Sequence, residues 1–195
     1  MSNQPAITQR DDLLIQSYIS CALISELVNN RFLDSDFFSQ MTFGNPEMKK
    51  IIRAIGLDNQ GFALMALYAM LVIPKSLITD KYPNEFKTIQ DFLEVHCKNT
   101  STSYSTDTNG IKFLRHIRNA VAHASVSFRP NDAICFMDKD TKNASQSFST
   151  ELPLKYLGEL VHKLQFIHLS HIQNIQPSAP QTTALGEQAV PPNGS

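Results

Sequence analysis

The chain has 195 residues, of which 42% are hydrophobic and 18% are charged, and its formal net charge at pH 7 is −1. This composition excludes an intrinsically disordered chain and predicts one globular domain with a sizeable core. A net charge near zero, with a pI of about 6.6, also excludes a globally basic nucleic-acid-binding protein. Contact with a polyanion would therefore need a local patch of positive charge.

The N-terminal sequence and the cysteines predict where the protein resides. The first residues, Met-Ser-Asn-Gln-Pro, lack the basic and apolar regions of a signal peptide. The cysteines Cys21, Cys97 and Cys135 are far apart and form no Cys-x-x-Cys pair, so neither a disulfide framework nor a zinc knuckle is supported. We therefore expect a protein of the reducing cytoplasm.

Helical periodicity of the apolar residues dominates the first half of the chain. Between the first two predicted helices, the segment from Arg31 to Pro46 is aromatic-rich and irregular. Pro74 is expected to kink or end the third helix, and residues 98–110 read as a plain Ser/Thr/Asn-rich loop. The predicted helices cover about Asp11–Asn29, Glu47–Ile55, Gln60–Thr79 and Pro83–Cys97.

The third helix contains a membrane-like stretch that is uncharged from Asn59 to Pro74. Crossing a bilayer takes about 20 apolar residues, and this stretch is shorter, opens with polar groups and closes at a proline. A buried central helix is therefore favoured, with a membrane span as the alternative.

The pattern changes after residue 124. Three short segments rich in β-branched or aromatic residues, separated by turn sequences, predict an antiparallel ribbon of two or three strands. A last helix opens at Pro153 and reaches about Asn174, and the Pro-rich residues 177–195 predict a disordered tail after a helical domain of residues 1–176. The predicted fold class is all-α, an up-and-down bundle of four to five long helices with a small antiparallel β insertion before the C-terminal helix. The predicted strands are Ser125–Phe128, Ala133–Asp138 and Ser145–Leu152.

The most informative segment is the helix predicted from Ile111 to Ala124. Apolar side chains fill one arc of this helix, and no Asp or Glu occurs from Ile111 to Pro130. A solvated helix face usually mixes positive and negative side chains, so we expect the polar arc of this helix to bind an anion. That arc carries Arg115, His116, Arg118, Asn119 and His123.

In one copy of this helix, the polar side chains are poorly placed to contact a single substrate atom together. Asn119 and His123 are four residues apart and share a face, whereas Arg118 precedes His123 by about 7.5 Å along the axis and lies well round the helix. Two copies crossing at a two-fold axis would bring both sets into one cleft. We therefore expect a homodimer.

The residue types in the polar arc suit RNA cleavage. His123 can exchange protons near neutral pH, Arg118 offers a fork of donors for phosphate oxygens, and Asn119 can hold the imidazole or the phosphate. A neutral His takes the proton of a 2′-OH, Arg stabilises the charge on the phosphoryl group, and a second, protonated His serves the leaving 5′ oxygen. The substrate supplies its own nucleophile and the segment lacks carboxylates, so we expect neither a metal nor another cofactor.

The run Arg118-Asn119-Ala120-Val121-Ala122-His123 resembles the Arg-polar-x3-His signature of the HEPN superfamily, all-α bundles that often act as metal-independent ribonucleases. Its place late in a penultimate helix, before a β excursion and a final helix, is similar to a bacterial, partly plasmid-borne HEPN subgroup. The resemblance implies a homodimer with a composite site, 2′,3′-cyclic phosphate products and a role in toxin–antitoxin or anti-phage systems. It assigns Arg118 and His123 as the catalytic pair, with Asn119 in the polar position.

Each candidate residue also has a structural interpretation. Arg118, Asn119 and His123 could make structural hydrogen bonds in an inactive bundle that binds RNA, a nucleotide, or a partner such as a cognate antitoxin or regulatory protein. Arg115 and His116 lie outside the signature, so nucleic-acid contact rests on the helical wheel alone, with a solvated or interface role as the alternative.

Two further groups of residues are given structural roles. His168-x-x-His171 lacks a third ligand at a suitable spacing, so helix-terminal histidines facing the negative end of the last helix are favoured over a metal site. Lys49-Lys50-x-x-Arg53 is predicted to be an exposed basic turn rather than a second RNA contact.

Overall fold

The computed structural model describes residues 8–143 and 145–175, apart from the side chains of residues 75 and 76. Over these residues the chain is mostly helical and carries a small four-stranded antiparallel sheet. The tail predicted at 177–195 lies outside the described residues, so the boundary after residue 176 stays a prediction.

The helices follow the predicted order, and most of their ends lie within about two residues of the predicted ones. The irregular segment after the first helix contains a 3₁₀ turn at Phe32–Asp34 and one short helix. Three helices, the first, the sixth and the last, have 14 residues or more, so a bundle of four to five long helices is not confirmed. The helices are α1 (Gln9–Asn29), α2 (Asp36–Gln40), α3 (Glu47–Ile55), α4 (Gln60–Leu67), α5 (Lys75–Ile78), α6 (Pro83–His96), α7 (Phe113–Ala122) and α8 (Leu157–Ile175).

The predicted central helix is interrupted near Pro74. Helix α4 passes into a π-helical turn at Tyr68–Val72, and α5 begins directly after the proline. Proline has no N–H, so the carbonyl of Met70, four residues earlier, loses its α-helical donor. The buried Nε2 of His168 on α8 donates to that carbonyl at 3.0 Å. A side chain from the last helix thus stabilises the break.

Among the described residues, no single helix is both long enough and apolar enough to cross a membrane. Helix α3 and residues Gln60–Val72 pass that test only as a pair, with a bend of 76° between them.

The sheet contains the predicted β insertion and one strand that was not predicted. The three strands between α7 and α8 confirm the insertion, at its larger predicted size. The fourth strand lies at 98–102, where a plain loop was expected. Its side chains are all polar and pair with β4 through hydroxyl contacts, such as Thr100 to Thr150 at 2.7 Å, so it has no apolar alternation to reveal it. In spatial order the strands are β1 (Lys98–Thr102), β4 (Ser147–Pro153), β3 (Ala133–Lys139) and β2 (Val126–Arg129), all antiparallel.

Helix α7 lies between the sheet and the other helices. It packs on β3 on one side and on the π-helical turn and α6 on the other. Its apolar arc enters the core, with Ile117 and Ala120 fully buried. The N-terminal turn of α7 has no cap of its own, and Gln90 of α6 supplies one: its Oε1 accepts the N–H of Leu114 at 3.0 Å, and its Nε2 donates to the carbonyl of Ile111 at 2.7 Å. The core therefore fixes the direction of α7.

Candidate functional site

His123 lies at the C-terminal end of α7, at the protein surface. The next residue, Ala124, is left-handed with a φ of 52°, and its N–H donates to the carbonyl of Val121. The N–H of Ser125 donates to the carbonyl of Ala120 at 2.8 Å, which completes a Schellman turn. A left-handed alanine costs roughly 1 kcal/mol, because glycine is the residue that accepts this conformation freely. The turn holds the backbone of His123 while leaving its imidazole exposed.

Arg118 enters a crevice formed by the π-helical turn, α5 and α6. Leu71, Ile78 and Phe86 line the crevice around its side chain. Its Nε is buried without a hydrogen-bond partner, and within the described residues no carboxylate forms an ion pair with it. Burial, and then the nearby charge of Arg115, lower the pKa of the Arg118 guanidinium. This cation is only partly hydrated and has no carboxylate counter-ion among residues 8–143 and 145–175.

Arg115 is half-buried one turn before Arg118. Its Nη1 donates to Oγ1 of Thr106 at 3.1 Å, and its guanidinium carbon lies 5.8 Å from the ring centre of Tyr104. Burial raises the pKa of the Tyr104 hydroxyl to about 12, so this ring stays neutral. Neither contact neutralises the charge of Arg115. Neither Arg115 nor Arg118 of α7 thus forms an ion pair with a carboxylate in the part of the chain that the structure describes.

Asn119 faces the sheet. Its Nδ2 donates to Oδ2 of Asp138 on β3 at 3.1 Å, and its side chain is partly buried. The amide of the signature's polar residue is thus held by a strand of the β insertion.

His116 also faces the sheet and is fully buried. Its Nδ1 lies 2.7 Å from Oδ2 of Asp138, its Nε2 lies 2.9 Å from Oδ2 of Asp107, and its ring stacks on Phe148 at 4.4 Å. The prediction that His116 lies on the exposed arc and contacts nucleic acid is wrong. A helical wheel shows which residues share a face, but it does not show that a sheet covers that face.

Two carboxylates lie beside α7, although the segment itself has none. Asp107 precedes the helix and Asp138 follows it, and both side chains are buried. Burial would raise the pKa of Asp107, but the hydroxyl of Thr102 and the imidazole of His116 outweigh it and hold this pKa below its usual range. The absence of carboxylates from residues 111–130 thus holds for the sequence, while the fold brings two from outside that range next to the motif. Even so, no group of three or more His, Cys, Asp or Glu side chains in the described part of the chain is placed to hold a metal.

Asp138 was missed although its strand carries a signal for it. Exposed Met137 and Lys139 flank it, so the alternation of a strand turns Asp138 to the same side as buried Phe136. A charged residue at an inward strand position needs a partner. Asp107 has no comparable signal, because it ends a single 3₁₀ turn, Ser105–Asp107, which is too short to show a periodicity.

The three signature residues point in three directions. Arg118 lies in the crevice beside α6, Asn119 binds β3, and His123 faces solvent at the helix end. No side-chain hydrogen bond joins any two of them within residues 8–143 and 145–175. Within one chain, Arg118 and His123 therefore have different surroundings, a crevice for the first and solvent for the second.

A family model described as HEPN pEK499 p136 matches residues 1–174. The chain belongs to this HEPN family. The match confirms the resemblance seen at residues 118–123 and extends it over the whole helical domain. The curated proteins and the solved structures yield no match to this HEPN chain.

Two histidines of α8, His168 and His171, have structural roles in the HEPN domain. Burial lowers the pKa of His168 to about 4, and its Nε2 binds the carbonyl of Met70. Nε2 of His171 lies 3.3 Å from Oδ1 of Asp11, which ties α8 to the N-terminus of α1. The pKa of Asp11 is lowered first by the hydroxyl of Thr8. Both histidines therefore bind other elements of the fold rather than the end of their own helix.

The basic residues of α3 also make contacts within the protein. Nζ of Lys49 and Nη2 of Arg53 both donate to Ser39 of α2, while Lys50 pairs with Glu47. Their side chains lie largely at the surface, as expected of a basic turn.

Proposed function

We propose that this protein is a HEPN-type, metal-independent endoribonuclease that cleaves RNA by attack of the substrate's own 2′-OH. The observation that carries the proposal is Arg118, a partly desolvated guanidinium with no carboxylate partner among the described residues, on the same helix as an exposed His123. One turn away, Arg115 adds a second cation that forms no ion pair with those residues. A phosphodiester supplies the negative charge that this helix lacks.

The chemistry uses these residues in defined roles. Neutral His123 takes the proton of the 2′-OH, whose oxygen attacks phosphorus, while Arg118 stabilises the negative charge that builds on the phosphoryl oxygens. A protonated His123 from a second copy gives its proton to the leaving 5′ oxygen. The products are a 2′,3′-cyclic phosphate and a 5′-OH end, and no metal takes part in the proposed steps.

A homodimer follows from the divergent directions of the motif residues. Since Arg118 and His123 of one chain have different surroundings, the proposed site is composite, with two α7 helices facing each other across a two-fold axis. We assign the protein to a toxin–antitoxin or anti-phage system of the cytoplasm, in which a cognate antitoxin or regulatory protein covers Arg118. This biological role rests on the family resemblance.

A catalytically inactive module is the second candidate. The observation in its favour is that Asn119 and His116 already have protein partners, as residues of a purely structural helix would. Such a module would bind RNA, a nucleotide or a protein partner through Arg115 and Arg118. Retention of RNA on filters that weakens with salt, without new RNA ends, would favour it.

Cleavage in the presence of EDTA tests the proposal. We expect the wild-type dimer to cut RNA but not DNA in excess EDTA and to leave cyclic phosphate ends, and His123→Ala to lower the cleavage rate by about 100-fold or more. His123 is exposed and makes no side-chain hydrogen bond within the described residues. The melting temperature of the His123→Ala variant should therefore stay near that of the wild type.

His162→Ala is the matched control, because His162 is exposed on α8, away from the motif. It should cleave RNA like the wild type. Wild-type protein that leaves diverse RNAs intact, or a His123→Ala variant that still cuts, would count against the proposal.

A further inference from the structure

A buried chain of hydrogen bonds joins the sheet to the polar position of the HEPN signature. Thr102 Oγ1 donates to Oδ2 of Asp107 at 2.7 Å, and His116 bridges that oxygen and Oδ2 of Asp138. The same Oδ2 of Asp138 accepts the Nδ2 hydrogen of Asn119. The exposed fractions of His116, Asp107 and Asp138 are 0%, 7% and 4%, so water competes little for these bonds.

The donors and acceptors of this chain allow one orientation of Asn119. An ionised carboxylate only accepts hydrogen bonds, so the arm of the amide that meets Asp138 must be the NH₂. The two arms of a planar amide diverge, and the carbonyl Oδ1 of Asn119 therefore points away from Asp138. His116 fixes the carboxylate in turn, because its Nδ1 binds the same oxygen at 2.7 Å and its ring is held between Tyr104 and Phe148.

We propose that Asp138 is a positioning residue of the ribonuclease site, which holds Asn119 so that its carbonyl oxygen faces the reacting groups. This inference rests on the proposed function. A carbonyl oxygen accepts a hydrogen bond from a hydroxyl or an imidazole N–H and not from a phosphate oxygen, which has no hydrogen to give, so Asn119 orients the 2′-OH or the His123 ring. The strand β3 thereby acts on the cleavage step through Asn119.

Asp138→Ala removes the anchor, and Asp138→Asn keeps an oxygen that accepts hydrogen bonds. We expect the alanine variant to lower kcat for RNA cleavage by about 10-fold to 100-fold with little change in KM, because misplacement affects the reacting geometry more than phosphate binding. Asp138→Asn should restore most of kcat. Asp132→Asn is the matched control, since Asp132 is exposed on the turn before β3.

A double-mutant cycle shows whether Asp138 acts through Asn119. If it does, Asn119→Ala combined with Asp138→Ala cleaves no more slowly than Asn119→Ala alone. Independent losses that multiply in the double variant would overturn the inference, and so would a rise in KM with kcat unchanged.

NMR of the full-length protein, labelled with ¹⁵N at asparagine, separates this inference from the proposed function. The Asn119 side-chain NH₂ signals, identified by their loss in Asn119→Ala, should shift in Asp138→Ala and stay in place in Asp132→Asn. Signals that Asp138→Ala leaves unchanged would overturn the anchor itself. If the signals shift but the wild type cuts no RNA, the anchor is supported, and the proposed function and the catalytic role of Asp138 fail together.

Discussion

Arg118 is placed where a cation is costly for the fold and useful for binding. Its Nε is buried without a partner, and burial and Arg115 both disfavour its charge. A structural arginine would be expected to bind a carboxylate, and this one binds none within the described residues. The cost is understandable if an anion binds there during function.

Arg118→Met keeps the apolar stem in its crevice and removes the charge. We expect this variant to lower the rate of RNA cleavage by about 100-fold or more. Arg118→Lys should recover only part of the rate, because lysine keeps the positive charge but lacks the planar fork of donors. The free energy of unfolding in urea should be unchanged or slightly higher, since a desolvated cation is lost. Arg53→Met is the control outside α7, and a cleavage rate for Arg118→Met equal to that control would contradict the role of Arg118.

At the scale of residues, the sequence indicated which residues form the motif better than it indicated which side chains surround them. The run from Arg118 to His123 was sufficient to indicate the family, because its spacing is local. The place of His116 could not be predicted, since it depends on Asp107 and Asp138 from segments on either side of the helix. Contacts between distant segments leave little trace in one sequence, apart from an inward-facing charge such as Asp138.

At the scale of elements, the helix ends and the interruption near Pro74 were predictable, whereas the π-helical form of that interruption and the edge strand were not. The predicted bounds of α3 and α6 match the structure almost to the residue. Burial of one face explains this for α6, whereas α3 buries no side chain fully. The π-helical turn before Pro74 depends instead on a donor from α8, the Nε2 of His168. Strand β1 depends on pairing with β4, and its polar side chains show no periodicity.

The contact between α8 and the π-helical turn should make stability depend on pH. Burial lowers the pKa of His168 to about 4 in the folded protein, against 6.5 as the ordinary value, so the folded state favours the neutral ring. As the pH falls through about 6.5 the unfolded chain binds a proton that the folded chain does not, and stability is lost down to about pH 4. One histidine accounts for about 2 kcal/mol of this loss between about pH 7.5 and pH 5.

His168→Gln keeps an N–H for the carbonyl of Met70 but does not titrate. Urea unfolding of both proteins at the two pH values should show a pH-dependent loss of stability that is smaller in the variant by about that amount. Equal losses in the two proteins would show that His168 is not the group responsible.

At the scale of the whole molecule, the motif is incomplete in one chain. The fold directs Arg118, Asn119 and His123 apart, and the sheet covers the side of α7 that carries His116. Sequence reasoning indicated a second copy from helix geometry alone, and the directions of these side chains support the same proposal. The composite site remains a proposal until a dimer with one altered subunit is tested.

A heterodimer of one wild-type and one His123→Ala subunit, purified through two different tags, provides that test. If the acid and the base come from the two copies, the heterodimer should cleave RNA at least about 100-fold more slowly than the wild-type dimer. A heterodimer with His162→Ala should cleave like the wild type. If the His123→Ala heterodimer instead keeps about half of the wild-type rate, each chain carries its own site, and the composite site is wrong.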